Sequence, residues 1–293
     1  MVASVHAAEI LKTEKLADNV YALVGPVTNR SPENLGNNAN FGVIVTDEGV
    51  VLIDSGGTYK GAQMIHAAIK KITDKPIKLV INTGGQDHRF LGNGYFKSTG
   101  ANIIANEKAV ADQKARFNGQ FSRLSSLVGD VGVQGTDPVY ADETFTDKKL
   151  LAIGNTKIEI HHAGQAHTPG DSFVWLPQHK VMFSGDIVYM DRMLSVGGMS
   201  AHKSWIDSFQ AMAAFKPEIV VAGHGEPAPL AKAKDDTHDY LVFLRQSVQN
   251  FIEAGNGIEE IGKLDQSRFS YLKNYDALKG RNAQRVFEEL EWE

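Results

Sequence analysis

Apolar positions along this chain recur first with a period of two and then with a period near that of a helix, and the switches between the two rhythms predict its elements. Residues 41–57, FGVIVTDEGVVLIDSGG, read as two β-branched strands joined at Asp47, Glu48 and Gly49 and ending in a turn from Asp54 to Gly57. Ile65, Ala68, Ile69 and Ile72 then fall at helical spacing with Lys70 and Lys71 off the stripe, and Pro76 stops that helix before a strand at 78–81. A short strand is expected at 102–105 and a helix at 106–116. Residues 117–138, rich in Gly and Ser, read as a loop or lid. Four more short strands follow at 157–161, 172–176, 180–184 and 218–222, each closed by Gly, Pro or Asp. From Asp236 a helix turns Tyr240, Phe243, Leu244, Phe251 and Ile252 inward and stops at Gly255, and the remainder to Glu293 reads as charged helix. No repeat or linker divides residues 20–293, so a single domain is expected, built twice on a strands-then-helix plan with two sheets face to face and helices outside. Residues 1–19 are expected to be a flexible terminus or the remnant of a signal peptide.

Composition narrows the chemistry. The 35 acidic and 30 basic residues leave a net charge of -5, too mild for a nucleic-acid groove, so the expected partner is a small molecule and not a nucleic acid. No apolar run reaches membrane-spanning length, and no membrane association is expected. With no cysteine, disulfides, thiolate nucleophiles and Cys-based zinc sites are excluded, and any metal must be held by His, Asp or Glu. Val5 and Ala7 stand in the small-x-small arrangement of a signal-peptide cleavage site, which makes a periplasmic or secreted location the expectation and a cytoplasmic one the alternative. Oligomeric state leaves no mark on the sequence.

Candidate chemistry sits in turns that follow predicted strands, where loop-built sites form on a rigid scaffold. His167 lies in GQAHTPGD, Asp186 in VMFSGDIVY and His224 in VVAGHGEP, each beside a glycine that permits a sharp turn. His88 lies in NTGGQDHRFLGN. His202, in GGMSAHKSW, reads as an exposed loop residue. His161 and His162 adjoin at a strand end, so alternation sends them to opposite faces.

The succession IDSG, NTGGQDHRFLGN, GQAHTPGD, FSGD and AGHG, running from about Val20 to Ala228, resembles the metallo-β-lactamase superfamily. That resemblance implies an αββα four-layer sandwich, an α/β fold of two mixed sheets packed face to face with helices outside and one or two metal ions along one edge. It also implies that His167, Asp186 and His224 are metal ligands, with Asp186 bridging, and that Asp54 supports the site from behind. The family pattern Thr-His-x-His-x-Asp-His-x-x-Gly-Asn is altered here. If the flanking Asn-Thr and Gly-Asn are kept in register, Gly84 and Gln86 replace the two leading histidines, while His88 and Arg89 fall on the Asp and His positions. If the Asp-His pair is matched instead, Asp87 and His88 remain as ligands. The second register gives one cation a shell of Asp87, His88, Asp186 and His224, whereas the first metal position keeps only His167 and Asp186. In the first register Arg89 places a permanent guanidinium beside Asp186, standing in for the missing cation.

One divalent metal is therefore expected, zinc by default with iron or manganese as alternatives, and Asp87 and His88 are the expected catalytic residues. The leading function is a metal-dependent hydrolase of a small ester-, thioester- or lactam-like substrate acting through activated water. A non-catalytic, metal-poor binding or accessory protein on the same scaffold is one alternative. A mononuclear iron oxygenase of sulfur compounds is another, whose third ligand falls on Gly84.

Overall fold

A computed structural model describes residues 10–293, and it bears out the αββα architecture. One sheet is formed by β1 (Lys12–Ala17), β2 (Val20–Val24), β3 (Phe41–Thr46), β4 (Gly49–Ile53), β5 (Ile77–Asn82), β6 (Asn102–Asn106) and β7 (Glu143–Phe145), in that order. Pairing is antiparallel as far as β4 and parallel from β4 to β7, so the sheet is mixed. The other sheet is formed by β8 (Lys148–Ile153), β9 (Thr156–His161), β10 (Phe173–Leu176), β11 (Val181–Phe183) and β12 (Ile219–Val221), antiparallel except where β11 meets β12.

Strand alternation sorts the core into layers. Val51 and Ile53 of β4 meet Val174 and Leu176 of β10 between the sheets. Their neighbours Val50 and Leu52 face outward onto Ala62, Ile65 and Ile69 of α1 (Tyr59–Ile69). Because the central strands are buried on both faces, they read as continuous apolar runs rather than alternating ones. The remaining helices are α2 (Asp87–Phe90), α3 (Asn93–Ser98), α4 (Glu107–Val128), α5 (Asp130–Val133), α6 (His202–Ala213), α7 (Leu230–Ala233), α8 (Asp239–Glu253) and α9 (Tyr275–Leu290). Trp205 and Phe209 of α6, Leu244 of α8 and Phe287 of α9 cover the outer face of the second sheet, against Phe173, Trp175 and Met182. Among the described residues no helix is long and apolar enough to cross a membrane.

Three expectations need correction. The segment 117–138 is mostly helix: α4 continues to Val128, α5 follows, and only 134–138 form a loop. Phe117, Phe121, Leu124 and Val128 recur at helical spacing and pack with Phe90 and Leu91, and this apolar stripe outweighs the local Gly and Ser content. Residues 1–19 are not uniformly a flexible end, since Lys12–Ala17 pair with β2 along its length; Val5 and Ala7 lie outside the described residues. His202 is not an exposed loop residue. It opens α6 fully buried, bonded to Glu289 through Nδ1 and to Arg245 through Nε2 at 2.7 Å, and so ties α6 to α8 and α9.

Candidate metal centre

The site is assembled where the chain leaves β4, β5, β11 and β12, at the same edge of the two sheets. Asp54 follows β4 in the left-handed region, φ 64°, a conformation that Asp tolerates better than most residues. Its carboxylate accepts from the Thr83 backbone N–H at 2.7 Å, from the Thr83 hydroxyl at 2.8 Å and from Arg89 Nη1 at 2.9 Å. Asp186 follows β11 in a single tight turn, Gly185–Ile187. Arg89 grips both of its oxygens, Nη2 donating to Oδ1 at 2.6 Å and Nε to Oδ2 at 3.2 Å. Gly223 makes room for this pairing, because a Cβ there would come within 2.5 Å of Arg89 Nη2 and 2.6 Å of Asp186 Oδ1.

Two imidazoles flank the same carboxylate. His88 Nε2 lies 3.3 Å from Asp186 Oδ2 and His224 Nε2 lies 3.4 Å from Oδ1. Ligand atoms of His88, Asp186 and His224 all fall within 4.8 Å of one another, and all three residues are buried. The His224 ring is fixed by stacking on Tyr189, centroids 4.8 Å apart, and by its Nδ1–H donating to the Asn38 carbonyl at 2.7 Å. The His88 Nδ1 faces Asp87 Oδ1 at 3.1 Å and Arg30 Nη2 at 2.7 Å.

Asp87 and His167 were expected beside these three residues, and neither belongs to that group. The Asp87 carboxylate sits on the Nδ1 side of His88 and is paired with Arg30. His167 is half-buried on the cleft wall, with its Nδ1 near the Ser195 carbonyl at 3.1 Å and its ring against Tyr189 and Trp205. The guanidinium on Asp186 is the arrangement of the first register, so the preference for the second is corrected. Matching ligand types favours the second, but packing decides otherwise: a buried guanidinium must be paired, and Arg89 is buried between Asp54 and Asp186.

Charge balance follows from these contacts. Burial opposes ionisation of Asp186, but the Arg89 guanidinium and His88 outweigh it and hold the carboxyl well below its usual range. Asp87 is likewise lowered, since Arg30 and His88 overcome its burial. Burial, and then the Arg192 charge, pushes His224 well below the ordinary imidazole value. Asp171 behaves oppositely: burial and the nearby Asp186 charge push it up to about 8.

His224 provides a test of whether a cation fits. A carbonyl only accepts, so the bond to Asn38 places the single proton of a neutral ring on Nδ1 and leaves a lone pair on Nε2. That lone pair points at a carboxylate oxygen in a buried site, acceptor against acceptor, which costs free energy unless a cation lies between them. His88, Asp186 and His224 therefore fit one divalent cation with an N/O ligand set. The first metal position of the family does not fit. A Cβ on Gly84 would lie 2.5 Å from Asp171 Oδ1, so a ligand side chain at that residue would have to displace a carboxyl that Thr168 holds in place. Sequence reasoning missed Arg30 and Asn38. Both lie between β2 and β3, in a segment without periodicity, and nothing local signals that they reach the site.

The family model described as the metallo-beta-lactamase superfamily matches residues 35–224. The chain is 27% identical over 224 residues to a metallo-beta-lactamase type 2 of Elizabethkingia meningoseptica, covering 74% of this chain and 79% of that protein. It is 20% identical over 261 residues to a linear primary-alkylsulfatase of a Pseudomonas species, covering 75% of this chain and 48% of that protein. Among solved structures, the metallo-beta-lactamase from Pontibacter korlensis superposes with a TM-score of 0.64 at 23% identity, over 79% of this chain and 99% of the other. With the model spanning more than half of its length, the chain belongs to the metallo-beta-lactamase superfamily.

Proposed function

We infer that this protein is a hydrolase using one divalent cation, zinc by default, held by His88, Asp186 and His224, to cleave a small ester-, thioester- or lactam-like substrate. The observation that carries the reading is His224 Nε2 facing Asp186 Oδ1 at 3.4 Å while Nδ1 of the same ring is bonded to the Asn38 carbonyl. Held there, a divalent cation would supply Lewis acidity, the property that lowers the pKa of bound water from about 16 to about 7 and offsets charge on a substrate oxygen. The chain's own groups do the positioning. Asn38 orients His224 through its carbonyl, and Arg30 with its partner Asp87 holds the His88 ring at Nδ1, at 2.7 and 3.1 Å. Arg89 fixes Asp186 from behind and leaves each carboxylate oxygen a further lone pair. With its pKa held low, Asp87 is a weak proton acceptor, so its contribution is orientation rather than general base catalysis. Two relatives named as a lactamase and an alkylsulfatase act on different bonds, so their names leave the bond open.

One observation favours the non-catalytic reading. Arg89 already neutralises Asp186, as a structural cation would. Elemental analysis of protein purified without added metal, followed by zinc and iron titration, separates the two. One equivalent that disappears in His224→Ala, with hydrolysis of ester, thioester or lactam probes in the loaded protein, is the expected result. No binding above background at any added concentration would reject the hydrolase.

A further inference from the structure

The cleft above His88 and His224 encloses about 340 Å³, and its wall is basic to a degree the whole chain is not. Among the described residues five arginines line it, Arg30, Arg116, Arg123, Arg192 and Arg281, and no carboxylate does, in a protein whose net charge is -5. They come from four separate stretches of chain. Arg30 lies between β2 and β3, Arg192 follows the Asp186 turn, and Arg281 is on α9. Arg116 and Arg123 are seven residues apart on α4, which places them two turns apart along one face.

Two of these cations are neutralised: Arg30 by Asp87, and Arg116 by Asp112 four residues before it on the helix. The other three have no ion-pair partner among the described residues. Arg192 is half-buried beside His224, its Nη1 3.5 Å from the imidazole Nδ1, and its Nε is buried without a hydrogen-bond partner. Arg123 and Arg281 are exposed at the rim. Guanidinium groups facing one cleft repel each other and destabilise the empty site, an arrangement that is repaid when an anion enters. Their planar forks match carboxylate and phosphoryl oxygens in paired hydrogen bonds.

We propose that this cleft selects a small substrate carrying two or more negative charges, phosphoryl or carboxylate, gripped by Arg123, Arg192 and Arg281 while its scissile bond lies over His88 and His224. The proposal deepens the hydrolase reading and rests on it for the position of the bond, but the anion grip itself requires no metal. A singly charged or neutral ester leaves at least one arginine unpaired and gains correspondingly less.

The test is calorimetric binding at fixed ionic strength to the full-length protein as purified, using inorganic pyrophosphate, trimesate and benzoate as probes, with metal content measured separately. Both polyvalent anions are expected to bind more tightly than benzoate. Arg123→Gln and Arg281→Gln, exposed positions where folding is checked by circular dichroism, should each weaken binding about tenfold. Preference for pyrophosphate assigns the charge to phosphoryl groups, and preference for trimesate assigns it to carboxylates. Polyvalent anions that bind no better than benzoate, or a double variant that keeps wild-type affinity, would overturn the proposal. Anion binding by protein that takes up no metal would instead sink the hydrolase and leave the cleft's selectivity standing.

Discussion

Arg89 donates to both oxygens of Asp186 while a third nitrogen of the same guanidinium reaches Asp54 at 2.9 Å, so one cation fully buried in the protein holds together the ends of β4 and β11. The side chain that departs from the family pattern is therefore structural as well as electrostatic. Removing it leaves two buried carboxylates uncompensated.

Arg89→Ala is accordingly expected to destabilise the fold by about 3–5 kcal/mol, the usual consequence of breaking one side of a buried ion pair. Denaturant midpoints measure it. Because Asp186 would then lack its counter-charge, added zinc should recover part of the loss. A midpoint within experimental error of wild type would show that the guanidinium is not a structural cation.

Asp87→Asn keeps the shape but loses the negative charge behind His88. Zinc affinity, read by competition with a chromophoric chelator, should fall about 10–100-fold while stoichiometry stays at one. His88→Ala and His224→Ala remove two of the three proposed ligands and should each abolish the expected equivalent of metal. Equal zinc affinity in wild type and Asp87→Asn would show that the carboxylate does not orient the ring.

Gly84→His restores the family residue at the first metal position, yet no second equivalent of metal is expected. The Cβ would lie 2.5 Å from Asp171 Oδ1, and Thr168 holds that carboxyl in place through Oγ1 and its backbone N–H. The variant should be less stable than wild type and still bind one ion at most, by elemental analysis. Two bound equivalents would refute the steric argument.

Asp171 gives the fold a pH dependence whose sign is fixed by its raised pKa. Folded, the group titrates at about 8, against 3.8 as its ordinary value, so between those limits the native state keeps a proton that the unfolded chain has released. Its contribution to stability is complete below the ordinary value and is lost as pH rises through the folded one, with a slope on the order of 1 kcal/mol per pH unit at most. Asp171→Asn should flatten the stability profile over that window. An unchanged slope would show that the carboxyl is ionised in the native protein.

The layer order of this protein is local information. β-branched runs, helical stripes and turn residues are short-range signals, and the sandwich follows because each strand or helix must bury its apolar face. The turns bearing His167, Asp186 and His224 were legible for the same reason: glycine beside each marks where the backbone can bend. The continuation of α4 to Val128 was hidden because Gly119 and the serines suggest a loop, whereas Phe117, Phe121, Leu124 and Val128 gain their weight only from Phe90 and Leu91 beneath them.

Tertiary structure alone decided which residues meet. Asp87 and His88 are adjacent in sequence, yet the Asp87 carboxylate pairs with Arg30, a buried charge meeting its opposite, while His88 Nε2 faces Asp186. The sequence leaves open whether Arg89 or Asp87 belongs beside Asp186, and the choice falls to Arg89 only because Asp54 and Asp186, 35 and 97 residues away, close on its guanidinium together. Arg30, Arg123, Arg192 and Arg281 share no motif or periodicity, and their convergence on one cleft is a property of the packed layers. Periodicity specifies what each element buries against its neighbours; the long-range balance of charges buried together appears only once the chain has closed on itself.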